Sequence, residues 1–111
     1  SLSGLDQYWY HLLALGKIDA PFAVDQCWDG AGVFAPTEDI LQGYRNYDAF
    51  EFRYERPTAQ DISLFFNNRC PSAKLKRRTI WERELRGYVL PSLSTARSEF
   101  AVALGITISW D

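Results

Sequence analysis

Positive charge is concentrated in one short stretch of this chain, residues 69–86. The stretch holds seven of the twelve Lys and Arg residues and only two acids, so its net charge is +5. Residues 1–68 carry ten acids and four bases, and residues 87–111 carry two acids and one base. The chain as a whole is acidic, but most of its cations lie in residues 69–86. Any binding of a polyanion would therefore depend on this stretch.

The same stretch has the composition of a β-hairpin. β-branched and aromatic residues stand among the basic ones in residues 74–84, and residues 88–90 form a second apolar run. We predict a hairpin near residues 75–90, with its turn at residues 85–87, where Gly87 suits a tight bend. Pro91 is expected to end the second strand.

Apolar residues at helical spacing predict four helices, near residues 4–15, 37–52, 59–68 and 93–104. Thr58 and Asp61 have the spacing of a capping box, which marks the start of the third helix. Gly16 and Gly105 stand where glycine commonly ends a helix. Residues 106–110 are rich in β-branched side chains and predict a short C-terminal strand.

Together these elements predict an α+β, winged helix-like fold: about four helices, a β-hairpin wing and a short C-terminal strand. The two central helices, the second of them polar on its outer face, have the helix-turn-helix pattern. Residues 17–36 are expected to form a linker that packs on the body. At 111 residues the chain is one domain, and because it contains no Met we expect it to be excised from a larger protein.

Little in the sequence indicates catalysis or metal binding. His11 is the only histidine, and no Gly-rich phosphate-binding loop occurs. Asp19, Asp25 and Asp29 lack the loop spacing of a hard-cation site, so we read them as solvated loop acids. We expect a binding domain rather than an enzyme, with no cofactor and no metal.

The two cysteines bear on the cellular compartment. Cys27 and Cys70 lie in unlike contexts without CxxC spacing, which favours two thiols in a reducing compartment over a disulfide. The sequence has no signal peptide and no apolar run near the roughly 18 residues that a membrane span needs. We therefore expect a cytoplasmic location and no membrane partner.

Four short patterns are similar to those of one protein family. The first helix ends in an aromatic-Leu-Leu-x-x-Gly pattern between Trp9 and Gly16, and the second helix reads TEDILQGYRNY. Arg56-Pro57-Thr58 precedes the helix that carries Phe65. The last pattern is Leu90-Pro91-Ser92-Leu93, followed by Ala96-Arg97, Phe100, Gly105 and Trp110. With these patterns the chain resembles the C-terminal domain of phage and plasmid primase–helicase replication proteins, the group related to the poxvirus-type primase-helicase.

The resemblance implies a winged-helix module that follows a superfamily 3 helicase ATPase. The helicase motor and the primase site are not in this chain, so ATPase and polymerase activities are not implied. What is implied is a non-catalytic DNA-binding accessory domain for DNA replication in the bacterial host cytoplasm. Its partners would be DNA and the remainder of the parent protein, through which it would oligomerise.

Two elements are expected to contact DNA. The third helix would reach a groove or phosphates through four polar residues: Gln60, Ser63, Asn67 and Asn68. The hairpin would contact phosphates through six cations: Lys74, Lys76, Arg77, Arg78, Arg83 and Arg86. Strand alternation places Lys76 and Arg78 on one face and Arg77 on the other, so the six cannot all meet one ligand.

A protein–protein docking module within a replication or other phage complex is the alternative. Winged helices also dock on neighbouring subunits, and the acidic remainder of the chain suits a basic partner. Lys and Arg on an edge strand also have a purely structural use, because they prevent aggregation. The sequence leaves strandedness and DNA sequence preference open.

Overall fold

A computed structural model describes residues 4–18, 26–28, 32–47 and 56–110. In those ranges the chain forms four helices and five strands. In chain order they are α1 (Gly4–Leu15), β1 (Lys17–Ile18), β2 (Gln26–Cys27), β3 (Phe34–Pro36), α2 (Thr37–Tyr47), α3 (Ala59–Arg69), β4 (Lys74–Ile80), β5 (Arg83–Val89) and α4 (Leu93–Leu104). None of the helices in these ranges has the length and apolar character needed to cross a membrane.

The principal sheet is antiparallel and has the strand order β3-β5-β4. β4 and β5 pair along their whole length, from Lys74 opposite Val89 to Ile80 opposite Arg83. β3 pairs only with residues 87–89 of β5, so the outer half of the hairpin extends beyond it. β1 and β2 form a separate two-stranded ladder. The α+β class with four helices and a hairpin is confirmed.

The helix boundaries follow the capping signals in the sequence. The Thr58 hydroxyl accepts a hydrogen bond from the Asp61 backbone at 3.2 Å, and the Asp61 carboxylate accepts one from the Thr58 backbone at 2.8 Å. Gly16 and Gly105 end α1 and α4, each with φ of 68°. Helix α2 begins at Thr37, and its predicted final residues, 48–52, lie outside the described part of the chain.

Most of the core lies between the helices and the sheet face that carries Tyr88, while Phe34 and Leu85 are buried on the opposite face. The ring of Trp9 on α1 is 5.5 Å from that of Trp28 and 5.1 Å from that of Phe66 on α3. Phe66 in turn lies 4.7 Å from Tyr88 on β5. The Trp28 indole also donates a hydrogen bond of 2.9 Å to the Pro91 carbonyl. Phe66 of α3 therefore packs on the sheet face on which Tyr88 lies, and Trp9 of α1 packs on Phe66.

The predicted turn at residues 85–87 is wrong. The turn is formed by Trp81 and Glu82, whose φ angles are 54° and 63°. Gly87 lies inside β5, where a Cβ atom would stand 2.4 Å from the carbonyl oxygen of Ala35 on the neighbouring strand. Glycine is needed at this position because β3 approaches closely, a contact that the sequence does not reveal.

The predicted C-terminal strand at residues 106–110 is also wrong. The segment is irregular: the Ile106 amide donates a hydrogen bond to the Ala101 carbonyl at 3.1 Å. The Trp110 ring lies 5.4 Å from that of Tyr10 and 5.1 Å from the guanidinium of Arg97. Because the chain reverses at Gly105 and returns along α4, its β-branched residues meet helices rather than a strand with which they could pair.

Candidate nucleic-acid interface

The hairpin formed by β4 and β5 is an exposed basic arm. All of β4 except the half-buried Ile80 is exposed, and so are Arg83, Glu84 and Arg86 on β5. At about 3.4 Å per residue, Ile80 stands about 20 Å along the strand from Lys74. The two strands carry six cations, and the acids among them and in the turn are Glu82 and Glu84. The predicted basic hairpin is therefore present, with the register shifted by its true turn.

The register sorts the six cations onto two faces, because residues directly opposite one another in a ladder share a face. The face that carries Tyr88, which we call the helix side, also carries Arg77 and Arg86. The opposite face, which we call the outer face, carries the other four cations: Lys74, Lys76, Arg78 and Arg83. The predicted split of the cations is confirmed, and the structure adds that Arg86 lies with Arg77.

On the helix side Arg77 and Arg86 stand directly opposite each other. Like charges in this position destabilise a sheet. Nη1 of Arg77 lies 3.6 Å from the Glu84 carboxylate, but both side chains are 65% exposed, so this ion pair is weak. The arginine pair therefore does not stabilise the hairpin. An anion placed between the two guanidinium groups would relieve their repulsion.

On the outer face two of the cations contact the body of the domain. The guanidinium of Arg78 lies 5.0 Å from the centre of the buried Phe34 ring, and Nη2 of Arg83 lies 3.4 Å from the Glu38 carboxylate. Lys74 and Lys76 are exposed, and neither forms an ion pair within the described ranges. On the outer face Lys74 and Lys76 are therefore available to a ligand. Arg78 and Arg83 also hold the hairpin against the body of the domain.

Trp81 occupies the tip of the arm and is 77% exposed. Sequence reasoning assigned it to a strand and missed it as a candidate contact. The reason is that neither Trp nor Glu is favoured at the central positions of a two-residue turn with positive φ. No Asn-Gly or Asp-Gly pair occurs between residues 69 and 86, so no local signal in the sequence marked this turn.

Helix α3 presents three of its four predicted contact residues to solvent. Gln60, Asn67 and Asn68 are exposed, whereas Ser63 is half-buried. The side-chain amide of Asn68 donates to the Leu64 carbonyl at 3.1 Å, so part of its hydrogen-bonding capacity is used within the helix. Leu64 itself is 54% exposed and interrupts the polar face. No hydrogen bond or ion pair joins these four residues to the hairpin cations in the described ranges.

The connection from α3 to β4 fixes the base of the arm. Cys70 is a free, buried thiol, and its amide donates to the Phe66 carbonyl at 2.8 Å. The Glu99 carboxylate on α4 accepts hydrogen bonds from the Ser72 amide, at 3.1 Å, and from the Ser72 hydroxyl. Burial, together with the charge of Glu99, raises the pKa of the Cys70 thiol to about 12. The arm therefore has a set direction relative to α3 and α4.

Arg69 belongs to the basic stretch of the sequence but not to the arm. Its Nε lies 2.7 Å from Oδ1 of Asp6, which is 4% exposed. This hydrogen bond raises the pKa of the Arg69 guanidinium. The charge of Arg69 is used inside the domain, so the ligand-accessible charge of residues 69–86 comes from the six hairpin cations.

The described ranges give less evidence for a small-molecule pocket or a metal site than for a phosphate-binding surface. An open cleft of about 440 Å³ lies beside α3, and its lining includes Leu64, Phe65 and Arg56. Within the described ranges no three His, Cys, Asp or Glu side chains are grouped so that they could hold a metal ion. Asp19, Asp25 and Asp29, and the side chain of Cys27, lie outside those ranges.

No protein-family model matches this chain, and neither a curated protein nor a solved structure matches it. The resemblance to primase–helicase replication proteins stays a hypothesis drawn from sequence patterns. The functional assignment therefore depends on the geometry of the arm and of α3.

Proposed function

We propose that this chain is a non-catalytic, winged helix-like DNA-binding domain that contacts phosphates through its basic hairpin. The observation that carries the proposal is the arginine pair on the arm. Arg77 and Arg86 are exposed, directly opposite each other, and placed beyond the end of β3. Guanidinium groups match phosphate geometry better than lysine ammonium groups do, because each can donate two parallel hydrogen bonds.

The order of the elements supports the winged-helix part of the proposal. A short strand, β3, lies between the first and second helices, and the hairpin follows the third helix. In the sheet β3 pairs with the second strand of that hairpin, which gives the order β3-β5-β4. In a winged helix the strand after the first helix completes the sheet in this way, and on this proposal α3 would be the recognition helix.

The distribution of charge supports DNA rather than a small anion as the ligand. Cations lie along about 20 Å of the arm, which is longer than any single phosphate or carboxylate group. Duplex DNA presents phosphates every few ångströms along each strand, so an elongated basic arm can neutralise several at once. The three exposed polar residues of α3 would add contacts that position the domain.

The parent protein is part of the proposal. From the sequence patterns we propose that the domain acts beside a helicase or primase in phage or plasmid DNA replication, in the cytoplasm of the bacterial host. The rest of that protein would be its second partner and would supply oligomerisation. Weak binding by the isolated domain is expected, because its net charge of −2 opposes long-range attraction to DNA.

Fluorescence anisotropy over a salt series tests the proposal. Binding should be largely independent of DNA sequence, with a log–log salt slope of about −0.9 for each phosphate contact on duplex DNA. Replacing Arg77 and Arg86 together by Ala should make the slope shallower by about two. The matched control replaces Lys17 and Arg45 together by Ala. Both residues are exposed and lie outside the hairpin, so the salt slope should not change.

Two results would contradict the proposal. One is equal loss of affinity in the Arg77/Arg86 variant and in the Lys17/Arg45 control, which would place the phosphate contacts elsewhere. The other is no binding to any oligonucleotide at about 50 mM salt and about 100 μM protein, the weak limit of ordinary non-specific binding. The hairpin would then be assigned to docking on an acidic protein surface.

A further inference from the structure

Trp81 is more exposed than any other Phe, Tyr or Trp in the described part of the chain, at 77%. Tryptophan buries more apolar area than most side chains, so its place in a fold is usually inside. Here it projects from the far end of the arm, where no part of the body covers it. The exposure of Trp81 therefore has no explanation in the packing of the domain.

The backbone at the tip is also unfavourable for tryptophan. Ile80 pairs with Arg83, which leaves a two-residue turn with φ of 54° at Trp81 and 63° at Glu82. Such turns favour Asn and Gly, because other side chains crowd the backbone at positive φ. Strained residues of this kind concentrate at functional sites. Neither burial nor turn propensity selects a tryptophan here, so a ligand contact is the remaining physical reason.

The surroundings of Trp81 indicate the chemistry of that ligand. Arg83 follows the turn, and Arg77 and Arg86 pair three residues farther back, about 10 Å from the Ile80–Arg83 pair that closes the turn. An indole ring offers a flat face for stacking, and the cations behind it suit phosphates. A ring beside phosphate-binding cations is the combination that binds single-stranded nucleic acid, where bases are free to stack.

We propose that Trp81 stacks on an unpaired base of DNA while the hairpin cations hold the adjoining phosphates. The inference rests on the proposed function and names the preferred substrate, which is single-stranded DNA or the junction between duplex and single strand. A blunt duplex offers no free base away from its ends, because insertion of the ring between stacked pairs requires unstacking them.

The test compares three labelled oligonucleotides of equal length: a single strand, a blunt duplex and a fork. Trp81→Ala should weaken binding to the single strand and the fork by about 10- to 100-fold, the effect of losing one base–aromatic stack. Its effect on the blunt duplex should be less than about two-fold, and the salt slope should not change, because no phosphate contact is lost. Trp81→Phe keeps a ring and should restore most of the affinity.

Two controls separate stacking from folding. Trp81→Asn places a turn-favoured residue at the positive φ, so it should fold with unchanged or higher thermal stability and still lose single-strand binding. Intrinsic fluorescence should be quenched by the single strand in the unaltered protein. The quenching should disappear in Trp81→Phe, although Trp9, Trp28 and Trp110 remain.

The outcomes separate this inference from the proposed function. If Trp81→Ala weakens all three substrates equally, or none of them, the stacking inference is wrong. The DNA-binding proposal then still stands wherever the Arg77/Arg86 variant changes the salt slope. If no oligonucleotide binds the unaltered protein, the DNA-binding proposal fails and the stacking inference fails with it.

Discussion

Arg69 donates two hydrogen bonds to the carboxylate of Asp6, from Nε to Oδ1 at 2.7 Å and from Nη2 to Oδ2 at 3.4 Å. Asp6 lies in the first turn of α1 and Arg69 in the last turn of α3. An acid at a helix start and a cation at a helix end each interact favourably with the helix dipole. The pair joins the start of α1 to the end of α3, so the charge of Arg69 stabilises the domain and is not part of the hairpin.

Arg69→Ala should destabilise the domain by about 2–3 kcal/mol, because it leaves the buried Asp6 carboxylate without its charged partner. Urea unfolding followed by circular dichroism measures the effect. Arg86→Ala is the matched control: Arg86 is exposed and lies opposite Arg77, so its loss should leave the unfolding midpoint unchanged or raise it. Equal midpoints for the two variants would show that the Asp6 contact contributes nothing to stability.

Thr58→Ala should cost about 1 kcal/mol of stability, because it removes the hydroxyl that accepts from the Asp61 amide at the start of α3. Gln60→Ala, two residues along the same exposed turn, removes no capping bond and should leave the urea midpoint unchanged or slightly higher. A Thr58→Ala midpoint equal to that of the unaltered protein would contradict the capping role.

The Cys70 thiol should resist alkylation in the folded protein at pH 8 and react at an ordinary rate in urea. Its pKa is raised to about 12, chiefly by burial, so little thiolate exists until the domain unfolds. Mass spectrometry of peptides separates Cys70 from Cys27. Rapid modification of native Cys70 at pH 8 would mean that the base of the hairpin opens readily.

The same pKa predicts a loss of stability at alkaline pH. Above about pH 9 the unfolded thiol loses its proton, whereas the folded thiol keeps it until about pH 12. The unfolded state then binds fewer protons than the folded state, so stability falls as pH rises through this window. Cys70→Ala removes this contribution, so between pH 9 and 12 its thermal midpoint should fall less steeply than that of the unaltered protein.

Gly87→Ala should disrupt the sheet, because its Cβ would lie 2.4 Å from the Ala35 carbonyl oxygen and 2.6 Å from Cα of Pro36. Overpacking of this kind costs about 1–3 kcal/mol, and here both neighbours are backbone atoms that cannot rotate away. Gly105→Ala is the control: it has no atom within 4 Å and bears only the strain of φ 68°, about 1 kcal/mol. A Gly87 variant no less stable than the Gly105 variant would contradict the close approach of β3.

Glu84→Gln should strengthen DNA binding by about two- to three-fold at low salt, because it frees Arg77 from a carboxylate 3.6 Å away. Its effect on stability should be small, since both side chains are exposed. Glu82→Gln removes the same charge from the turn without breaking a described ion pair. If both variants bind equally well, net charge rather than release of Arg77 explains the gain.

Local signals in the sequence were enough to place the helices. The Thr58 capping box and the two glycines at φ 68° each act within a few residues, so their effect does not depend on distant parts of the fold. The basic hairpin was predicted for the same reason, from strand-forming residues between cations. The sequence does not determine its register, because Gly87 suits a tight turn as well as the close approach of β3, and only the neighbouring strand distinguishes the two roles.

Tertiary packing decided the features on which function depends. Residues 106–110 have strand composition, yet they fold back on the helices because Trp110 packs on Tyr10 of α1 and Arg97 of α4. The pairing of Arg77 with Arg86 requires the turn at Trp81, which no turn-forming residue marks. The sequence by itself determined the charge of the arm and the helix ends, since both are local properties. Which cations lie opposite each other, and which side chain stands at the tip, depended on the register of β4 against β5, which follows from the turn at Trp81 and Glu82.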